Sequence, residues 1–241
     1  MANFPTHIAI GTVASGMLAT LTMAANIVPG YDFISDTTLA NDGGGRDADA
    51  LDPGDWNTVA TASCDVSNSS WHGTHVAGII AAVGNNGVGI AGVAFGAKVL
   101  PVRVLGNCGG FVSDIIAGMR WSVGLDSGDV PVNSRVARVL NLSLGSTGAC
   151  SAAFQEAVND VRAAGSVVVV ATGNGGTNTV DQPANCAGVI AVTAHTRGGD
   201  NANYANIGSG TTISAPGGGF GSAVVGDGSG IFATSNAGLT T

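Results

Sequence analysis

Apolar positions along this chain fall into two alternating periods. Val167 to Ala171 is an unbroken run of four valines and an alanine, the pattern of a strand buried on both faces. Shorter apolar runs at Val99–Leu105, Val136–Leu144 and Val189–Ala194 predict further strands. Between them the spacing becomes helical, from His72 to Val83 and from Ser113 to Val123 through Ile115, Ile116 and Met119. A third helix is predicted over Ser151–Ala164, with Phe154, Ala157, Val158 and Val161 on one apolar face. Ser151 suits its N-cap and Gly165 its stop. From Ala24 to about Asp55 the pattern lapses into loop, punctuated by Asn41-Asp42-Gly43-Gly44-Gly45 and Asp52-Pro53-Gly54. Strands alternating with helices predict a three-layer α/β fold, a mainly parallel sheet with helices on both faces. Ligands of such sheets bind beyond the carboxyl ends of the strands, so the residues that follow each strand carry the functional interest.

The first 31 residues contain no Asp, Glu, Lys or Arg. Ile8 to Val28 is mostly apolar, interrupted by Gly11, Ser15, Gly16 and several threonines. Three readings stay open. A secretory signal is opposed by the missing positive charge. A transmembrane helix has the length but a high Gly, Ser and Thr content. The third is a strand and turn of the soluble domain.

Composition narrows the class. A chain of 241 residues, 45% hydrophobic and 10% charged, fits one large domain with a sizeable core. A net charge of -8 argues against nucleic acid and anionic membrane surfaces as partners. The four cysteines, Cys64, Cys108, Cys150 and Cys186, include no C-x-x-C pair, which counts against zinc. They suit two disulfides in an oxidising compartment, or four buried thiols in a reducing one.

Three short strings carry chemistry. The first is His72-Gly73-Thr74-His75-Val76-Ala77-Gly78, in which a histidine stands where loop becomes helix and small residues allow close packing. Zinc at His72 and His75 is disfavoured, because helical metalloprotease histidines lie four apart around a glutamate. The second is Ala171-Thr172-Gly173-Asn174 after the valine strand. An amide there is either an ordinary Asn–Gly turn or a donor to an oxygen that becomes negative during acyl transfer. The third is Asn141-Leu142-Ser143-Leu144-Gly145, a strand end whose exposed edge can pair with an extended peptide.

Together with Ser214-Ala215-Pro216-Gly217, these strings resemble the subtilase family of serine proteases from about Ala24 to Thr241. The resemblance implies a serine endopeptidase acting on extended peptides, with a mainly parallel seven-stranded sheet. It implies His72 as general base and Asn174 as the oxyanion-hole side chain. Ser143, Leu144 and Gly145 match one wall of the specificity pocket, and Ala171, Thr172 and Gly173 the other. Gly109 and Gly110 match the strand that pairs with the substrate backbone. The pairing Cys64–Cys108 and Cys150–Cys186 is expected, and with it a secreted or extracellular location. Calcium is implied at the acidic loop, where Asp47, Asp49 and Asp52 belong to a set of five carboxylates in 14 residues. Gly84 to Gly89 resembles a second calcium loop.

The pattern also breaks. Counting back from Asn26, the family's Asp-Thr/Ser-Gly slot falls on Ala14-Ser15-Gly16, so alanine stands at the carboxylate position; Asp32 is the nearest substitute. No Gly-Thr-Ser-Met-Ala string, which holds the family nucleophile at the start of a long helix, occurs in the 241 residues. Ser235, in Ala233-Thr234-Ser235-Asn236-Ala237, is the nearest candidate. The resemblance therefore predicts a subtilase domain over residues 24–241, incomplete at its carboxyl end and inactive as it stands. Residues 1–23 form a divergent apolar segment that resembles the start of a family of membrane-associated metal-dependent hydrolases. Two other readings compete: a pseudoprotease that binds peptides without cutting them, and a membrane-associated hybrid joined near Ala24.

Overall fold

The structure is a computed structural model that describes residues 7–10, 13–14, 23–60, 64–219 and 230–235. The chain divides into two compact units, residues 1–139 with 233–241, and residues 140–232. In the first unit the elements run β1 (His7–Ile10), β2 (Val13–Ala14), β3 (Tyr31–Asp32), α1 (Thr37–Ala40), β4 (Leu51–Asp52), α2 (His72–Ala81), β5 (Lys98–Arg103) and α3 (Val112–Ser122). The second unit carries β6 (Val139–Leu142), α4 (Ala152–Ala163), β7 (Val167–Ala171), β8 (Ile190–His195) and β9 (Ile213–Pro216).

Strand order in the first unit is β3-β5-β1. Both pairings are parallel, with Tyr31 opposite Val102 and Ile8 opposite Val99. A separate parallel pair joins β2 to β4 and sets Ala14 opposite Asp52. The described parts of the Ile8–Val28 stretch therefore include strands that pair within this unit, as the soluble-domain reading expects. Among the described residues no helix is long and apolar enough to cross a membrane. The core here joins Met23, Ala77, Ala81, Ala82 and Val99. Tyr31, Phe33 and Trp121 form an aromatic cluster with centroids 5.2–5.6 Å apart.

A buried charge cluster ties β5 to the loops beside it. Arg103 is fully buried. Its guanidinium pairs with Asp32, its register partner on β3, bonds to Asp42 Oδ2 at 2.8 Å, and donates to the Ala40 carbonyl. Burial pushes the Asp32 carboxyl up to about 6, against the opposing pull of the Ile34 N–H and of Arg103.

Helix α2 buries Gly73, Thr74, Ala77, Gly78 and Ala81, a face of small residues that lets other backbone come close. The Thr234 hydroxyl, itself buried, donates to the Thr74 carbonyl at 2.6 Å. A Cβ at Gly78 would collide with Thr234 Oγ1 and stand 2.9 Å from its backbone nitrogen. Gly78→Ala should therefore lower stability by about 1–3 kcal/mol. Thermal unfolding of Gly78→Ala, Thr234→Ala and the double variant checks this. The double variant should recover only part of the loss, because the backbone clash remains.

In the second unit the order is β6-β7-β8-β9, with β7–β8 and β8–β9 parallel. Helix α4 matches its sequence pattern closely. Ser151 caps it by accepting the Phe154 N–H, and Phe154, Ala157, Val158 and Val161 are its buried residues. Strand β7 departs from expectation. Val168 and Val170 are buried, but Val167 is 42% exposed. Val169 and Ala171 are half-buried, so the two faces of the strand are unequally covered. Strand β9 carries no run of large apolar residues, and its positions are mostly exposed.

Candidate active site

Each unit holds part of the chemistry that the sequence indicates. In the first, Trp71 precedes α2 in a left-handed conformation (φ 52°) and is buried. That turn delivers His72 as the first helical residue, solvent-exposed on one side and lining a cavity of about 390 Å3 on the other. Asp52, Asp55, Ser70 and Gly109 line the same cavity, as does the Cys64–Cys108 disulfide. The Cα atoms of that pair are 5.3 Å apart, and those of Cys150 and Cys186 in the second unit are 5.0 Å apart. Both pairings are those expected from the resemblance, and none of the four cysteines is free.

Two carboxylates near His72 were read from sequence only as members of an acidic loop. Asp55 accepts the Ser70 N–H and hydroxyl, both at 2.6 Å, and the Ser70 hydroxyl oxygen accepts the His72 N–H at 3.3 Å. Asp52 is buried, accepts the Gly54 N–H at 2.9 Å, and has its carboxyl pushed up by burial. Its register partner is Ala14, the alanine in the expected carboxylate slot. The signal for Asp55 is local, a carboxylate one residue before Trp56 and 15 before Ser70. The signal for Asp52 is a strand pairing, which spacing along the chain does not reveal.

Burial of the His72 ring lowers its pKa below the usual 6.5; neighbouring His75 lowers it further, and Asp55 opposes both. A neutral imidazole is the form that accepts a proton, so the shift suits a general base near neutral pH. NMR titration should find His72 half-protonated below pH 6.5, and Asp55→Asn should move the midpoint lower still. A depressed histidine pKa also sets a stability sign: the unfolded chain binds the proton first, so this contribution is full above pH 6.5 and is lost as pH falls below it.

The other expected residues of this unit divide. Gly109 has φ 111° and bridges Gly106 in antiparallel fashion, while a Cβ at Gly110 would collide with the Val104 carbonyl. Asp32 is occupied by Arg103 and the Ile34 N–H and does not line the His72 cavity. Ser235 lies in irregular, exposed backbone, with no described helix starting at it.

Subtilases commonly bind structural calcium. Asp47, Asp49 and Asp52 do not gather into one metal-holding group. Asp47 accepts the Asp49 N–H, Asp49 the Leu51 N–H and Asp52 the Gly54 N–H, so each caps its own turn. Asp47 and Asp49 are exposed whereas Asp52 is buried. Among the described residues no group of three or more His, Cys, Asp or Glu stands where it could share a metal.

In the second unit, β6 and β7 end at the two predicted pocket walls. Ser143 accepts from the Asn141 amide at 3.0 Å, and Ser146 bridges Gln182. Thr172 is buried, and its carbonyl accepts the Asp181 N–H at 3.0 Å. Gly173 has φ 111°, and Asn174 follows it as an exposed residue beyond the carboxyl end of β7. An amide at that place can donate to an oxyanion.

Comparison with known proteins places this arrangement. The Subtilase family matches residues 26–239. An extracellular protease of Xanthomonas campestris pv. campestris is 47% identical over 235 residues, 96% of this chain and 39% of that protein. An extracellular basic protease of Dichelobacter nodosus is 43% identical over 87% of this chain and 36% of its own length. The chain thus spans about two fifths of the curated relatives it matches. The solved structure of proteases from Pseudoalteromonas arctica PAMC 21717 superposes with a TM-score of 0.89 at 48% identity, over 98% of this chain and 69% of that one. A cold adapted subtilisin-like serine proteinase superposes with a TM-score of 0.60 at 26% identity, over 90% and 66%. On a match that covers most of its length, this chain belongs to the subtilase family, and its α/β fold is subtilisin-like.

Proposed function

We propose that this chain is the general-base and peptide-binding part of a secreted, subtilisin-like serine endopeptidase that acts on peptides or proteins in extended conformation. The observation that carries the reading is His72, the first residue of a helix of small residues, on the wall of an open cavity that Asp55 and Gly109 also line. In that role His72 takes the proton from an attacking serine hydroxyl and returns it to the leaving amine, while the Asn174 amide donates to the carbonyl oxygen as it becomes negative. Gly109 and Gly110 offer backbone to the substrate. Ser143, Leu144 and Gly145 face Ala171, Thr172 and Gly173 across the pocket for one substrate side chain. The relatives named as extracellular proteases, together with two disulfides, support secretion.

The Xanthomonas alignment covers more of the chain than residues 24–241 supply, which favours one continuous family domain over a hybrid joined near Ala24. No calcium is assigned to Asp47, Asp49 and Asp52, and no membrane or nucleic acid is assigned as a partner. Alanine at position 14 and the missing Gly-Thr-Ser-Met-Ala string favour a second reading of these 241 residues alone, peptide binding without cleavage. Fluorescence anisotropy with a labelled, extended peptide tests the shared part of both readings. Saturable binding that an unlabelled peptide competes away is expected; no binding at any concentration up to millimolar would overturn both.

A further inference from the structure

Within the second unit one acidic side chain occupies a position that nothing above has used. Asp181 lies between the two glycines that end the pocket walls. A Cβ on Gly145 would stand 3.8 Å from Asp181 Cβ, and one on Gly173 would collide with Asp181 Oδ2. The absence of a side chain at Gly173 is therefore what admits the carboxylate, while a Cβ at Gly145 would be in ordinary contact with Asp181. Its backbone is fixed on the same spot, since the Asp181 N–H donates to Thr172 and the next residue, Gln182, bridges Ser146.

The side chain is held as firmly. Asn206, buried, donates its amide N–H to Asp181 Oδ2 at 3.0 Å and to the Thr172 carbonyl at 3.3 Å. Its amide oxygen accepts the N–H groups of Gly175 and Thr177. The orientation of Asn206 is thus over-determined, and through it that of Asp181. One hydrogen bond does not exhaust a carboxylate, which has about four lone-pair sites. On its far side Asp181 borders a cavity of about 580 Å3, and it is the one ionisable side chain among the described residues that line it. No basic side chain lines that cavity to neutralise it.

We infer that Asp181 sets the specificity of the side-chain pocket, selecting peptides in which the residue that meets its carboxylate is lysine or arginine. The inference rests on the peptide-binding reading above and deepens it by naming the substrate class. A half-buried, pre-oriented carboxylate forms a charge-assisted bond with an ammonium or guanidinium group. A neutral side chain of the same length leaves it unpaired.

The test uses three labelled tetrapeptide amides, Ala-Ala-Ala followed by arginine, lysine or norleucine, with binding read by anisotropy on the 241-residue chain. The arginine and lysine peptides should bind at least about tenfold more tightly than norleucine, whose side chain is the lysine stem without its ammonium group. Raising the salt should narrow that gap. Asp181→Asn should collapse the ratio towards one, and Asp181→Glu, which keeps the charge, should retain part of it. Equal affinities for lysine and norleucine on the unaltered chain would overturn the inference without any variant, as would a preference that survives Asp181→Asn. Failure of all three peptides to bind would instead sink the peptide-binding reading and the inference with it.

Discussion

Arg103→Ala is expected to cost about 3–5 kcal/mol of stability, a large part of the total that holds a domain together. The guanidinium is fully buried and serves Asp32, Asp42 and the Ala40 carbonyl at once. Removing it leaves a buried carboxylate uncompensated. The loss should depend on pH. Asp32 is raised to about 6 in the folded chain from an ordinary 3.8, so the folded state holds the proton more tightly. Its contribution to stability is full below 3.8 and is lost as pH rises through about 6. Without Arg103 the folded value moves higher and the window widens. The deficit of Arg103→Ala should therefore shrink as pH falls from 7 towards 4. Urea unfolding of both proteins across that range measures it. A deficit that stays constant with pH would show that Arg103 does not alter how tightly folded Asp32 holds its proton.

The second large effect concerns turnover. On the proposed roles of His72 and Asn174, the purified 241-residue chain should not detectably hydrolyse casein or chromogenic peptides, because a base and an oxyanion donor without a nucleophile leave only weak attack by water. Ala14→Asp alone should not rescue it, since the serine is still missing. Appending a helix that begins with Gly-Thr-Ser-Met-Ala should give a trace of activity, and combining the two should give much more. In a trypsin-type triad, replacing the aspartate costs about four orders of magnitude. The register of β2 and β4 bears on this result. An aspartate at 14 would lie opposite Asp52, whose carboxyl is already raised by burial, and two adjacent acids ionise with difficulty. Ala14→Asp combined with Asp52→Asn should therefore outperform Ala14→Asp in the extended chain.

What the sequence discloses depends on the range of the interaction. Helix α4 is legible because its cap, Ser151, and its apolar face, Phe154 to Val161, lie within one short window. The His72 and Asn174 strings are legible because each lies at the junction of a regular element and a loop. Strand β7 is over-read, because four valines satisfy the pattern of a doubly covered strand while Val167 faces outward. The Arg103 cluster is illegible from spacing, since its partners Asp32 and Asp42 lie 71 and 61 residues away. The acidic loop misleads in the opposite way. Its carboxylates are close in sequence, but Asp47 and Asp49 cap exposed turns while Asp52 turns inward. Asp181 left one faint trace, as the only carboxylate between Asp160 and Asp200. Its place between Gly145 and Gly173 comes from the neighbouring strands β6 and β7, with 24 residues between them along the chain.

The central proposal is that this subtilase chain binds extended peptides, with His72 as base and Asn174 as donor, and that its 241 residues supply no serine nucleophile to cut them. One sample tests it most directly. A labelled peptide of ten or more residues is titrated with the unmodified chain, the anisotropy is recorded, and the same mixture is examined by mass spectrometry after prolonged incubation. Saturable binding with the peptide intact is the predicted result. Cleavage that disappears in both His72→Ala and Ser235→Ala would contradict it, by making Ser235 the nucleophile.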